Sequence, residues 1–304
     1  MEAPRILVVK GKAGMGNRLR FLAHAFVYAI ASRRVLVIDW SDPTYSNDGQ
    51  NVFQEYFEPD NLNLFEAELE SLNGVEVVPN IWDGNLDCSV SEMKGTLDQA
   101  IHWRKRESLL SGPLQSDFDN PAPIQVVWAY NQHLKRIPPA LLSRVIGKKS
   151  SREILIWFFQ EILTLNRELR QRIESFAAKN PPMIGVHVRQ SDKKATHPLS
   201  MCFEKIDRLD DSHSIFLATD NLQIFEQFAK KYGNRVISTP KWYPSPGASC
   251  HQNKQCPDRL ENGKEALVDI YILSQCKFLL RQKGSSFTEI SDYIAGRQSK
   301  CWNV

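Results

Sequence analysis

The segment from Met183 to Lys194 constrains the fold more than any other stretch, because an apolar run leads directly into a cluster of charge. Ile184, Val186 and Val188 alternate with small or functional residues, which predicts a buried strand that ends at Arg189. Ligands collect at the carboxyl ends of strands in open parallel α/β sheets. Because basic side chains stand at this strand end, an anion is the expected ligand. The candidate residues at this strand end are Arg189, Ser191, Asp192, Lys193 and Lys194.

Composition predicts an ordinary globular protein of one or two domains. The chain has 304 residues, of which 42% are hydrophobic and 24% charged, and this length is enough for two cores of about 150 residues each. The formal net charge is only +3, so composition offers no basic surface of the kind that nucleic acid binds. We expect no nucleic-acid partner.

Neither a targeting segment nor a membrane span is predicted. No stretch approaches the ~18 to 20 apolar residues that span a bilayer, and no N-terminal apolar run follows a basic segment, so we expect a cytoplasmic chain. The six cysteines include no C-x-x-C pair. Cys250, His251 and Cys256 supply three zinc ligands at most, which favours free thiols over a metal site or a disulfide.

The first half opens on a strand, a glycine-rich turn and a helix. Arg5 to Lys10 is a β-branched run, and apolar residues at helical spacing follow from Leu19 to Ala29. A second buried strand, Arg33 to Trp40, closes a right-handed β-α-β unit. The glycines of the turn do not keep the order of a dinucleotide-binding turn, so a turn without a ligand is an equal alternative. They are Gly11, Gly14 and Gly16.

A domain boundary is predicted near Ser150. Strands are predicted at Val75–Val78 and Ile124–Tyr130, in a region that we expect to shape a substrate cleft. A long helix is then predicted from Glu153 to Ala178, where Pro181-Pro182 stops it. The predicted domains are residues 1–150 and 151–304.

The second half repeats the alternation of strands and helices. Pro240 to Asn262 is a loop of the length that usually serves a function. Three strands of this half end in polar, hydrogen-bonding residues, at Arg189, at Asp220 and before the turn Lys283–Phe287. The predicted strands after the first are Ser214–Asp220, Arg235–Ser238 and Phe278–Leu280, and the predicted helices are Leu222–Tyr232 and Glu265–Cys276.

Four motifs in register resemble the fucosyltransferases of the core α-1,6 and rhizobial nodulation (NodZ-like) family. Their order and spacing match over nearly the whole chain. Ile184 to Arg189, with Asp192-Lys193 behind it, resembles the H-V-R-R-T-D-K motif of the core enzymes. The others are Phe216–Asp220, Leu267–Ser274 with Gly284–Ser286, and, like the opening of the nodulation branch, Gly14–Leu19 with Leu36–Trp40.

This resemblance implies a GT-B fold, with two Rossmann-like α/β domains whose parallel sheets face a cleft. Residues 1–150 would serve the acceptor and residues 151–304 would bind GDP-fucose. The implied activity is a metal-independent, inverting transfer of fucose from GDP-fucose to a sugar hydroxyl, in α-1,6 linkage to N-acetylglucosamine of an oligosaccharide. No cofactor is implied beyond the donor substrate, and Gly16 and Asn17 are assigned to donor binding.

The pyrophosphate of this donor needs positive charge and hydrogen-bond donors. Arg189 at a strand end offers a planar fork for two phosphate oxygens, and the alternative is a surface arginine beside a strand. Gly284, Ser285 and Ser286 would add backbone N–H and hydroxyl donors, as phosphate-binding turns do. Their alternative is a plain turn.

Guanine presents two neighbouring N–H donors that a carboxylate accepts together. Asp269, an acid within an apolar helix, is the candidate, and a solvent-facing helix acid is the alternative. His187 would donate to guanine O6, or it is a core histidine that the backbone satisfies. Asp220 would orient a donor-site group or brace Arg189, and the sequence does not separate these roles.

Two departures from the core enzymes affect the mechanism. Gln190 stands where they have a second arginine, although the nodulation branch also lacks it. His197 stands where they have a glutamate linked to acceptor activation, so His197 is the predicted general base. A solvated loop histidine is the equal alternative, with Asp192 or Glu204 as the base.

Other functions compete with this interpretation. The α-1,2-fucosyltransferases and the protein O-fucosyltransferases share the H-x-R and G-x-G-N features. A nucleotide- or glycan-binding relative that has lost turnover is a further alternative, which the altered Gln190 and His197 keep open.

Overall fold

The computed structural model describes residues 5–65, 68–112, 121–130, 139–180, 183–190, 198–209, 211–251, 253–281, 284–296 and 301–303. The chain divides into two compact units, Met1–Thr164 (unit 1) and Leu165–Val304 (unit 2), whereas the sequence suggests a boundary near Ser150. Each unit carries a parallel β-sheet, which confirms the predicted α/β class. No helix in these ranges combines the length and the apolarity that crossing a membrane requires.

Unit 1 is built on a four-stranded sheet. The strands of unit 1 are β1 (Arg5–Lys10), β2 (Arg34–Asp39), β3 (Phe57–Glu58), β4 (Val77–Val78) and β5 (Ile124–Val127), and all except β3 belong to this sheet. Its helices are α1 (Met15–Ala31), α2 (Val90–Thr96), α3 (Trp103–Leu109), α4 (Pro139–Ile146) and α5 (Ser151–Trp157), with 3-10 turns at Leu69–Leu72 and Asn80–Trp82 and a π-helical turn at Phe158–Ile162. The sheet order is β2-β1-β5-β4, with parallel neighbours throughout, and β3 lies outside it.

A buried ion pair joins the carboxyl ends of β1 and β2. Lys10 is 1% exposed, and its Nζ lies 2.5 Å from Oδ2 of Asp39. The same ammonium donates to the backbone carbonyls of Leu86 at 2.6 Å and Cys88 at 2.9 Å. Because an ammonium has three N–H donors, these three acceptors satisfy it, and they hold the segment before α2 against the sheet.

Unit 2 is built on a five-stranded sheet. Its strands are β7 (Met183–Val188), β8 (Ser214–Thr219), β9 (Val236–Ile237), β10 (Phe278–Arg281) and β11 (Cys301–Asn303), after the short β6 (Thr164–Leu165) at the unit boundary. Its helices are α6 (Arg167–Lys179), α7 (Leu199–Ile206), α8 (Leu222–Tyr232), α9 (Arg259–Gln275) and α10 (Ser286–Ile294), with a 3-10 turn at Gly233–Arg235. The order is β11-β10-β7-β8-β9, all parallel, so β7 is the central strand.

Two helical predictions need correction. The predicted helix from Glu153 to Ala178 is interrupted, because Leu163 takes an extended backbone and Asn166 caps α6 by accepting the N–H of Leu169 at 2.9 Å. Apolar spacing continues across this break, which is why periodicity hides it. Helix α9 begins earlier than the predicted Glu265, since Asp258 caps it through the N–H of Glu261 at 2.8 Å. Helix α10 is absent from the sequence-based predictions.

Gly185 sets how closely α9 packs on the central strand. A Cβ added to Gly185 would lie 3.0 Å from Cβ and Sγ of Cys276 and from Cδ2 of Leu273. Overpacking of this kind costs about 1–3 kcal/mol, so we expect Gly185→Ala to lower the free energy of unfolding in urea by that amount.

The matched control is Gly95→Ala. Gly95 lies in α2, and a Cβ added there meets no atom within 4 Å, so alanine should stabilise the protein by about 0.5–1 kcal/mol through helix propensity. Equal effects of the two substitutions would contradict the close packing at Gly185.

Candidate functional site

The residues predicted in the second half gather at one edge of the unit 2 sheet. Strand β7 pairs with β8 on one side and with β10 on the other, and all three run parallel. Their carboxyl ends therefore share an edge, where ligands bind in open α/β sheets. His187 lies at the end of β7, Arg189 just beyond it, Asp220 beyond β8, and Gly284 to Ser286 beyond β10.

Asp220 fixes the chain where β7 ends. Its Oδ1 accepts the backbone N–H of Gln190 at 2.9 Å, and its Oδ2 lies 3.8 Å from Nε of Arg189. Asn221 adds a donation from Nδ2 to the carbonyl of Gln190 at 3.4 Å. These contacts favour the bracing role for Asp220, because the carboxylate holds both the backbone and the guanidinium that follow the strand.

His187 is a buried imidazole that stays neutral. Its ring stacks on Phe287, with centroids 4.8 Å apart and planes 10° apart, and Nδ1 lies 3.4 Å from Oγ of Ser285. Burial, with the positive charges of Arg189 and Lys241, lowers the pKa of His187 to about 3. A neutral imidazole has one N–H donor and one acceptor, so His187 offers directional hydrogen bonding without adding a charge.

The turn between β10 and α10 presents backbone donors. Gly284 has φ +77°, a left-handed conformation that glycine adopts without strain, and it leads into the N-terminus of the nine-residue α10. Ser285 occupies the N-cap without a side-chain capping hydrogen bond. First-turn N–H groups have no partner within a helix, and the helix dipole adds partial positive charge, so this end of α10 suits an anion.

Asp269 has two close partners that the sequence does not reveal. It is 5% exposed, its Oδ1 accepts the hydroxyl of Thr239 at 2.7 Å, and its Oδ2 forms an ion pair with Nζ of Lys241. Both partners precede Asp269 by about thirty residues, in the chain that follows β9, so no local motif links them to α9. The solvent-facing alternative for Asp269 is therefore wrong.

Glu265 is a second acid in the same region, one helical turn before Asp269. Its two carboxylate oxygens lie 3.1 and 3.2 Å from the backbone nitrogen of Trp242. Burial raises the pKa of Glu265 to about 7, although that hydrogen bond and Lys241 oppose the shift. In the sequence, the local signal for Glu265 is its spacing of four residues from Asp269, which does not by itself identify a site residue.

Gly16 and Asn17 belong to unit 1, at the start of α1. The N–H of Met15 donates to the hydroxyl of Tyr45 at 2.7 Å, and Oδ1 of Asn17 accepts from Arg20 at 3.2 Å. The preceding turn is fixed by Arg18, whose Nη2 lies 2.7 Å from both carboxylate oxygens of Asp42.

Gly11 leaves room for this arginine. A Cβ added to Gly11 would lie 2.1 Å from Nη1 of Arg18. Packing against Arg18 and Asp42 therefore accounts for the glycine at this position. Gly16 and Asn17 remain candidates for donor binding.

His197 and Asp192, the candidates for catalytic base, lie outside the described residues, as do Ser191, Lys193 and Lys194. Across the ranges that the structure describes, no group of three or more His, Cys, Asp or Glu side chains is placed to hold a metal ion. Five cysteines in these ranges are free thiols: Cys88, Cys202, Cys250, Cys256 and Cys276.

Comparison with known proteins supports the resemblance of the motifs. No family model matches the chain. Nodulation protein Z of Azorhizobium caulinodans is 25% identical over 318 residues, covering 93% of this chain and 86% of the relative. Nodulation protein Z of Bradyrhizobium diazoefficiens is 25% identical over 330 residues, covering 96% and 80%.

A solved structure shows the same fold. The crystal structure of NodZ alpha-1,6-fucosyltransferase soaked with GDP-fucose matches with a TM-score of 0.66 and 22% identity, covering 96% of this chain and 92% of that one. The predicted GT-B class is confirmed, with two Rossmann-like units that each carry a parallel sheet. The NodZ-like resemblance is likewise confirmed over nearly the full length of the chain.

The ion pair of Asp269 and Lys241 should matter strongly for stability. Their side chains are 8% and 6% exposed, so Asp269→Asn leaves a buried ammonium without its counter-charge. Breaking one side of a buried pair costs about 3–5 kcal/mol, and we expect a loss of that size in the free energy of unfolding.

Asp207→Asn is the control for this experiment. Asp207 pairs with Lys231 at 2.8 Å, but these side chains are 47% and 38% exposed, so its loss should cost less than about 1 kcal/mol. A cost for Asp269→Asn that is no larger than that of the control would show that Lys241 finds another partner or solvent.

Proposed function

We propose that this NodZ-like chain is a fucosyltransferase that moves fucose from GDP-fucose to a sugar hydroxyl, in α-1,6 linkage to N-acetylglucosamine of an oligosaccharide. The observation that carries the proposal is the convergence of Arg189, neutral His187 and the N-terminus of α10 at one sheet edge. The NodZ alpha-1,6-fucosyltransferase whose fold matches 96% of this chain was crystallised and soaked with GDP-fucose, which supports the same donor here. We further propose that the protein acts in the cytoplasm.

The reaction needs stabilisation of a leaving pyrophosphate. The acceptor oxygen attacks the anomeric carbon of fucose, and the bond from that carbon to the β-phosphate oxygen breaks, so GDP leaves with the bonding electrons. We assign the developing negative charge to Arg189 and to the donors of Gly284, Ser285 and Ser286. Asp220 keeps Arg189 at the strand end, where the guanidinium fork meets phosphate oxygens in pairs.

Guanine recognition is assigned to Asp269 and His187. A carboxylate has about four acceptor positions, of which Thr239 and Lys241 occupy two on Asp269. The remaining two would accept N1–H and N2–H of guanine, while the imidazole of His187 donates to O6. Adenine has neither neighbouring donor, so GDP should bind more tightly than ADP.

The direct test is GDP release from GDP-fucose, with and without a panel of chitin oligosaccharides. The proposal requires oligosaccharide-dependent release and a fucosylated product with a 1,6 linkage. Release that no oligosaccharide stimulates would exclude the transferase, and binding of GDP without any release would indicate a relative that has lost turnover.

Arg189→Lys should lose most of the rate. A lysine is a point charge that cannot pair with two phosphate oxygens, so we expect kcat to fall by about a hundredfold or more. Because the pyrophosphate charge is assigned to Arg189 and backbone donors, wild-type activity should survive EDTA. Loss of turnover on chelation and its recovery with magnesium or manganese would refute metal independence, and a near-normal Arg189→Lys would place the arginine outside the site.

His197 remains the predicted general base, with Asp192 as the competing candidate. A histidine base predicts that kcat falls below a pKa of roughly 6.5, and His197→Ala should lower kcat by about a hundredfold while GDP affinity is unchanged. The pKa of Glu265 is about 7, so its titration would produce a similar acid limb.

The profile is therefore measured at saturating donor in Glu265→Gln as well. If the acid limb survives this change and disappears in His197→Ala, histidine is the base. If it disappears in Glu265→Gln, or if His197→Ala keeps kcat, the assignment to His197 fails.

A further inference from the structure

A second cluster of functional side chains lies in unit 1. Strands β1 and β5 are parallel neighbours, and both continue beyond the sheet into aromatic and charged residues. We call this group the Trp128 cluster, and its members are Lys12, Lys94, Glu107, Trp128 and Tyr130.

Trp128 forms a fixed floor for the cluster. It is 6% exposed, its Nε1 donates to the carbonyl of Gly11 at 2.9 Å, and its backbone N–H donates to Oγ of Ser111 at 3.0 Å. The ring thus ties the end of β5 to the turn after β1. Because the ring and the backbone of Trp128 are both hydrogen-bonded, the ring is held in one orientation.

Two lysines and a carboxylate are arranged on this floor. Nζ of Lys12 lies 3.6 Å from the Trp128 ring centroid, and Nζ of Lys94 lies 4.3 Å from it. Glu107 pairs with both, at 3.1 Å to Lys12 and 3.8 Å to Lys94. The carboxylate offsets one of the two lysine charges, so the group offers N–H donors and a carboxylate acceptor side by side.

Exposed aromatic rings border this polar group. Tyr130 is 37% exposed, and Nζ of Lys12 lies 5.1 Å from its ring centroid. Trp103 is 51% exposed and lies one helical turn before Glu107 on α3, so the two side chains share a face of that helix. Aromatic rings supply a large apolar contact area, and exposed rings beside a polar group suit a ligand that has both kinds of surface.

We propose that the Trp128 cluster, with Trp103, is a subsite for a neutral N-acetylated oligosaccharide. The apolar C–H face of a pyranose packs on the exposed rings of Tyr130 and Trp103. Lys12 and Lys94 donate to hydroxyl or acetyl oxygens, and Glu107 accepts from hydroxyl and amide groups. The carboxyl edge of the unit 1 sheet is where this fold class accommodates a ligand. The proposal rests on the proposed function, for which it identifies the acceptor-binding surface.

The test is calorimetric binding of chitotetraose to the intact protein, without nucleotide. Tyr130→Ala and Glu107→Gln should each raise the Kd by about tenfold or more, whereas Tyr130→Phe, which keeps the ring, should stay within about threefold of the wild type. Glu168→Gln is the control, since Glu168 is an ion-paired acid in unit 2, 2.6 Å from Lys264. Thermal unfolding shows whether each variant is folded.

The possible results separate the subsite from the transferase. Kd values for chitotetraose that do not change in Tyr130→Ala or Glu107→Gln would overturn the subsite, as would absence of binding to the wild type. Competition by inorganic phosphate would also overturn it and indicate an anion site. The Kd for GDP is measured in parallel and should not change in these variants. If the wild type does not bind GDP, the proposed function is refuted, and sugar binding is still measurable.

Discussion

A buried charge needs a partner, and in each unit a buried lysine–aspartate pair fixes the chain near the sheet. Lys10 pairs with Asp39 in unit 1, and Lys241 pairs with Asp269 in unit 2. Such pairs add little net stability compared with apolar residues, but removing one partner is costly. Their main effect is therefore positional: each holds an irregular segment, the one before α2 or the one after β9, in one place.

The candidate donor site combines this positioning with restrained electrostatics. Burial is the main reason that the imidazole of His187 stays neutral, and the positive charges of Arg189 and Lys241 lower its pKa further. Gln190 adds no cation, and its backbone N–H donates a hydrogen bond to the carboxylate of Asp220. We therefore assign the phosphate charge to Arg189 and to the first turn of α10, where backbone donors need no rearrangement during the reaction.

The sequence predicts the framework well and the side-chain partners poorly. Alternating apolar residues identify β7, and the polar residues that follow β7, β8 and β10 identify the binding edge, because both signals are local. Thr239 and Lys241 could not be assigned to Asp269, since they come from a long loop whose path depends on tertiary packing. The sequence does not predict helix α10 or the break at Leu163 for a different reason, which is local. Apolar spacing shows neither where α10 begins nor where the helix before Leu163 stops.

Hydrogen–deuterium exchange with and without GDP tests most directly whether the edge formed by β7, β8 and α10 binds the nucleotide. At saturating GDP we expect slower exchange in peptides that cover residues 183–190 and 284–290, because bound phosphate occupies the first-turn N–H groups of α10 and orders the end of β7. Unchanged exchange in both peptides while calorimetry shows GDP bound would place the nucleotide elsewhere and contradict this account of the site.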